Sequence, residues 1–302
     1  MNNLFNRDKT VVNSNQLQSS VINQNILLGK LLSRQNILQA DKIINNIHQS
    51  EFKVFSQWGD DGIIQFLVNY LDIRTKSFVE FGVENYQEAN TRFLLMNNNW
   101  KGLIMDGSSQ NISSVKKENL YWQYNLKAVS EWITQDNINT ILQEQGFTGE
   151  IGLLHIDIDG NDYWVWKEIN AVNPIIVIVE YNSVFGSNNP WTIPYQKEFY
   201  RTNAHYSNLY YGSSLLSLCD LATEKGYSFI GCNSSGNNSY FVRNDFMKDL
   251  KGKTAEEGFV ESNFRESRNE EGQLTFLSGQ DRIDLLRGLK VYNTRNSELE
   301  EI

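Results

Sequence analysis

Carboxylates gather in two short runs of this chain, LLHIDIDGND at 153–162 and VIVEYN at 177–182. Asp157 and Asp159 stand two residues apart, so on a strand they point to the same side. Glu180 and Asn182 repeat that spacing at the end of the next apolar run. Three carboxylates converging in one cleft do not all stay ionised cheaply. A proton is retained, a metal cation sits among them, or a cationic ligand does. Hard oxygen donors suit Mg²⁺ or Mn²⁺, and Asp157, Asp159, Glu180 and Asn182 form the expected set. The competing reading is that some of these groups cap the helix that follows Asn161 or bind backbone.

Two further strand ends carry acids. The run SFVEFGVENYQEANT (77–91) places Glu80 and Gly82 at a first strand-to-helix turn, followed by Glu84. Ligands of open α/β sheets bind at such carboxyl ends. A pyrophosphate turn would need G-x-G-x-x-G, so that backbone approaches phosphate at a helix start. One glycine among acids suits a cation better. S-adenosyl-L-methionine has a sulfonium, an ammonium and no phosphate, and is favoured over NAD. The run GLIMDGSS (102–109) ends a second strand at Asp106, where one carboxylate accepts both hydroxyls of a ribose. An aspartate before Gly107 is also ordinary turn chemistry.

Only three histidines occur. His48 and His155 read as structural. His205, in FYRTNAHYSNLYYG (199–212), is the imidazole expected to take a substrate proton, with Asp157 as the competing base. Tyr181, Tyr195 and Tyr206 flank a long loop of the kind that forms a lid or substrate wall, and aromatic faces suit sugar rings and sulfonium cations.

Strand-like and helix-like segments alternate through 51–245, which predicts parallel βαβ units in a doubly wound α/β sheet. The runs 227–232 and 239–243 are too close for a crossover helix and must form an antiparallel hairpin. Residues 1–50 carry helical periodicity, with Val21, Leu28, Leu32, Leu38, Ile43 and Ile47 on one expected face, either packed on the main domain or joining copies into a homo-oligomer. Residues 246–302 are charged, with one helix expected at 280–289 and a frayed end.

The net charge is 27 − 36 = −9, the wrong sign for a phosphate-tracking partner, so nucleic acid is not expected. The longest apolar run, Ile175 to Val179, is far below the roughly 20 residues of a membrane-spanning helix. No apolar leader follows Met1, and Cys219 and Cys232 make no metal-site pattern. A cytoplasmic protein is the expectation.

Taken together, FSQWGDDGII (55–64), FVEFGVE, GLIMDGS, LLHIDIDGNDYWVW, VIVEYN and the closing GYSFIG and NSYFVR runs resemble the FkbM-like class I methyltransferases, the type found with bacterial capsule and lipopolysaccharide synthesis. That resemblance implies a seven-stranded, Rossmann-like sheet and S-adenosylmethionine-dependent O-methylation of a nucleotide-activated heptose or hexose. It implies that Glu80 and Gly82 line the methionine end of the cofactor and that Asp106, with Gly107 and Ser108, holds the ribose. Ala128 and Val129 would flank adenine, and Gln57 and Asp61 would join the pocket. Asp157 or Asp159, Glu180 and Asn182 match the metal-ligand layout of metal-dependent O-methyltransferases. Glu180 stands where that layout has Asp. The rival readings are a non-catalytic scaffold subunit of a polysaccharide-assembly complex and an NAD-dependent sugar-nucleotide oxidoreductase.

Overall fold

The computed structural model describes residues 2–302, with side-chain surroundings from residue 16 onward. Ten strands form: β1 (Ser77–Phe81), β2 (Lys101–Asp106), β3 (Leu126–Ser130), β4 (Gly149–Ile156), β5 (Val172–Glu180), β6 (Trp191–Thr192), β7 (Tyr227–Cys232), β8 (Asn238–Arg243), β9 (Lys290–Asn293) and β10 (Glu298–Glu301). Seven build the main sheet, in the order β3-β2-β1-β4-β5-β8-β7. β1 to β5 pair in parallel, and β8 enters antiparallel between β5 and β7. A seven-stranded, mainly parallel sheet closed by an antiparallel hairpin is the arrangement expected from the sequence.

The strands bury side chains on both faces, as a covered sheet requires. Phe78, Ile104, Leu153, Ile176 and Tyr240 pack under the helix Asp60–Tyr70 on one side. Their neighbours Val79, Met105, Leu154, Val177 and Phe241 face the other side, under the helices Ile138–Glu144, Asp162–Glu168 and Leu215–Glu224. Period-two alternation in each strand therefore builds two cores at once.

Residues 119–123 are a helical turn, so β3 starts only at Leu126. The first crossover helix begins at Arg92, because 82–91 is spent on a turn that lines the site. The chain end is not frayed: β10 pairs with β9, and β9 with β6, in a small antiparallel sheet. The N-terminal helix runs Asn2–Leu38 and docks through Gly29 and Ser33, which are buried, while Leu28, Leu32 and Leu38 stay exposed. Small residues win that contact because they let the helix approach Val54 and Phe93 closely. A Cβ on Gly29 would lie 2.7 Å from Val54 Cγ2. Ile43 and Ile47 are buried, but after the helix has broken.

The end of β1 shows why a glycine stands there. Gly82 has φ +69°, and a Cβ would meet the Asp157 carbonyl oxygen at 1.6 Å. Side chains are excluded by both strain and space. Gly82→Ala is expected to destabilise the fold by more than about 3 kcal/mol, read as a lowered urea midpoint. A wild-type midpoint would contradict the close β1–β4 approach.

Candidate functional site

A cleft of about 850 Å³ opens beyond the carboxyl ends of β1, β2, β4 and β5. Its walls include Glu80 and Gly82 from the β1 turn, Asp106, Gly107 and Ser108 from β2, and Asp157, Asp159 and Glu180 from β4 and β5. Gln57 also borders it. These expected residues, scattered over 57–180, are brought into one cleft by the parallel sheet.

Each acid is held differently. Glu80 is buried at the floor. Its carboxylate accepts from the Asn90 and Thr91 N–H groups, from the Thr91 hydroxyl and from His155 Nδ1 at 2.9 Å. Asn90 Nδ2 lies 3.1 Å from His155 Nε2 and completes the chain. Burial pulls the His155 imidazole down, but the Glu80 carboxylate outweighs it and holds it above its usual value. Glu80 therefore anchors the 82–91 turn and has little capacity left for a ligand. Asp106 accepts from Glu84 N–H at 2.8 Å through one oxygen. Through the other it accepts from Ser108 N–H at 2.8 Å and Asn111 Nδ2 at 3.2 Å. It pins both turns, yet stays half-exposed to the cleft.

Asp157, Asp159 and Glu180 offer oxygens that lie within 4.8 Å of one another. Burial, then the neighbouring carboxylates, push both Asp157 and Glu180 up. Arg201 Nη1 donates to Asp159 at 2.8 Å, Arg201 Nη2 lies 3.6 Å from Glu266, and the guanidinium sits 3.9 Å from the Tyr211 ring centroid. One guanidinium thus pairs with two carboxylates, Asp159 and Glu266. Glu180 Oε2 is buried and has no hydrogen-bond partner. An orphaned carboxylate oxygen among hard oxygen donors fits a divalent cation.

Other expected residues lie elsewhere. Asp61 does not border the cleft. It accepts the Val54, Phe55 and Ser56 N–H groups at 2.7–2.8 Å and ties that loop to the helix start. Its neighbour Asp60 takes the wall position instead. Ala128 and Val129 lie within β3, and the wall past its end is Glu131, Trp132 and Ile133. The expectation was short by a few residues because the strand runs to Ser130. Asn182 leaves the carboxylate group: its Nδ2 donates to the Leu209 and Tyr211 carbonyls, and its Oδ1 accepts from Val184 N–H. His205 lies outside the cleft wall, its Nδ1 2.7 Å from Ser207 Oγ, and burial lowers it. Tyr181 is core, its hydroxyl donating to the Val260 carbonyl. Tyr195 packs near Trp164, and Tyr206 lies against His205 at the surface.

In their place the 199–208 segment supplies Phe199, Tyr200, Arg201, Thr202 and Asn208 to the wall. Trp132 and Tyr200 pair at 4.6 Å between ring centroids on the rim. Asp60 Oδ1 accepts from Asn233, Asn238 and Tyr240, while Asp60 Oδ2 and Asn238 Oδ1 are buried without partners. Arg201 was legible in principle, as the one cation among the aromatics of 199–212. Asp60 was not, because nothing local distinguishes it from Asp61.

Neither a protein-family model nor a curated protein matches the chain. Among solved structures, similarity is found to an O-methyltransferase from Bacillus cereus in complex with SAH, at 13% identity and TM-score 0.40 over 70% of this chain and 90% of that one. The N-terminal domain of EvdMO1 with SAH bound is similar at 11% and 0.41, over 69% and 94%. An S-adenosylmethionine-dependent methyltransferase from Clostridium acetobutylicum is similar at 9% and 0.41, over 68% and 97%. Likenesses this distant concern the fold and leave the functional reading to the cleft.

The buried groups set a pH response. Burial raises Asp61 and Asp162 to about 6 each, and His155, Asp157 and Glu180 are raised as well. A group raised on folding stabilises fully below its unfolded value, and that contribution is lost as pH climbs through the folded value. Between about pH 4.5 and 7 the folded state holds more protons than the unfolded one, so stability falls as pH rises. The metal-free protein is expected to melt at a higher temperature near pH 5 than near pH 7.5 in scanning calorimetry. A melting temperature that rises across this window would contradict the assigned environments.

Proposed function

We propose that the chain is an S-adenosylmethionine-dependent O-methyltransferase acting on a hydroxyl of a sugar, with a nucleotide-activated sugar as the substrate class. The observation that carries this reading is the carboxylate series at the ends of β2, β4 and β5 around one cleft, with a glycine-poor β1 turn unsuited to pyrophosphate. Asp106 stands where a ribose diol is held, and Trp132 beyond β3 offers a face for a planar base. The Trp132–Tyr200 rim and the polar 201–208 wall suit a sugar better than an apolar acceptor.

When bound, S-adenosylmethionine supplies an electrophilic methyl on sulfur. The chain's own work is to align that carbon with the acceptor oxygen and to remove a proton. Asp157 is the residue for the second task. It is half-buried at the cleft, and its carboxylate, pushed up by burial and by Asp159, is a stronger base than an exposed one. Asp157, Asp159 and Glu180 would alternatively hold a Mg²⁺ or Mn²⁺ ion, whose chemistry is to acidify a bound hydroxyl, so that Asp157 would then serve as a ligand and not as the base. Arg201 keeps Asp159 in place and fixes the wall that faces the acceptor.

The test is a panel of nucleotide sugars incubated with methyl-labelled S-adenosylmethionine and read by mass spectrometry. Asp157→Asn is expected to lower kcat by about 100-fold or more, and His205→Ala to stay within about threefold of wild type, because its imidazole is outside the wall. A near-wild-type Asp157→Asn enzyme would overturn the assignment of the base. Chelation is expected to slow the wild type and to leave Glu180→Ala no slower than it already is. Wild-type turnover indifferent to a chelator would remove the ion from the account.

A further inference from the structure

Seven large apolar side chains lie exposed on the N-terminal helix between Leu17 and Leu38, at 38–85% of their full accessibility. Their order is not random. Leu17, Val21, Leu28, Leu31 and Leu38 fall on alternating steps of four and three, with Gln24 and Gln35 filling the two remaining places. That is a heptad seam, with Val21, Leu28 and Gln35 at one core position and Leu17, Gln24, Leu31 and Leu38 at the other. Leu27 and Leu32 widen it on either flank.

The helix meets the body through its opposite side. Ile22 and Ile26 are half-buried there, and Gly29 and Ser33 are buried. Asn36 Nδ2 donates to the Ser50 carbonyl at 2.8 Å. One face is thus fixed to the main domain and the other is presented outward, so docking on the body does not satisfy the seam. Among the described residues nothing covers it.

We infer that this seam pairs with the same seam of a second copy in a two-helix coiled coil. Three observations select that occupant. The seam spans three heptad steps, the length at which such a pattern becomes a coiled-coil signal. Its exposed apolar side chains offer on the order of 700 Å² per copy, close to the roughly 800 Å² per partner of a standard interface. The chain has no acidic residue between Asp8 and Asp41, and Lys30 and Arg34 lie off the core positions, so two copies meet without charge across the seam.

The glutamines are accommodated in such a pair. In a parallel, in-register pair Gln24 faces Gln24 and Gln35 faces Gln35; in an antiparallel pair that sets Val21 against Leu38 and Leu28 against Leu31, Gln24 faces Gln35. Each primary amide both donates and accepts, so the amides pair in either direction. Polar core residues fix register at some cost in stability. This pairing stands independently of the methyltransferase reading.

The test uses the full chain at micromolar concentration in size-exclusion chromatography with light scattering. Wild type is expected at about twice its 34.9 kDa chain mass. Leu28→Glu with Leu31→Glu is expected at the monomer mass, with the main melting transition of the body within about 2 °C of wild type, since neither side chain is buried in it. A monomeric wild type, including one that instead binds lipid vesicles through this helix, would overturn the pairing. A double variant that keeps the dimer mass would also overturn it.

Discussion

Like charges must be brought together at the carboxyl edge of this sheet, and the rest of the site is arranged around that constraint. Asp157, Asp159 and Glu180 lie within 4.8 Å of one another, with Arg201 as the nearby cation. In water such a group would spread apart. Here two neighbouring parallel strands fix it, and the cost of burying it appears as the upward shift of the Asp157 and Glu180 carboxyls. Any ligand that brings positive charge into the cleft relieves that cost. A sulfonium cofactor and a divalent ion share this property, which is why one arrangement suits both.

The supporting structure makes the cluster rigid by satisfying the acids that are not needed for ligands. Glu80 is taken up by the Asn90 and Thr91 amides and by His155, a buried pair whose rupture would cost about 3–5 kcal/mol. Asp162 accepts the Ile158 and Gly160 N–H groups at 2.8 and 2.9 Å and closes the turn that carries Asp157 and Asp159. That turn includes Asp159 at φ +54°, a conformation held by its surroundings. Gly82 lets β1 pass close beneath it. The acidic chain is therefore a division of labour, in which some carboxylates hold turns and others face the cleft.

How much of this was readable from the chain follows from the range of the forces involved. Strand parity, the carboxyl-end rule and the short hairpin gap are local, and they placed Glu80, Gly82, Asp106, Asp157, Asp159 and Glu180 around one cleft. Identity at a single position was less legible. Asp60 and Asp61 are adjacent on one helix start, and only the long-range partners Asn233, Asn238 and Tyr240 separate the wall residue from the loop cap. Asn182 had the right parity, but a loop returning at 209–211 captured its amide. His205 was chosen by chemical type, and the 199–208 segment turned Arg201 inward instead. The N-terminal helix was expected either to pack on the body or to join copies. The small Gly29 and Ser33 make the close approach to the body and leave Leu28, Leu32 and Leu38 outside.

If the acidic strand ends take the adenosyl-methionine skeleton as proposed, Asp106 lies on its ribose. Isothermal titration of the wild-type chain and of Asp106→Ala with S-adenosylhomocysteine tests it most directly. A single saturable site is expected in the wild type, with an affinity at least about tenfold lower in the variant, or about 1.4 kcal/mol. No heat from the wild type, with or without Mg²⁺, or equal affinities in the two proteins, would contradict it.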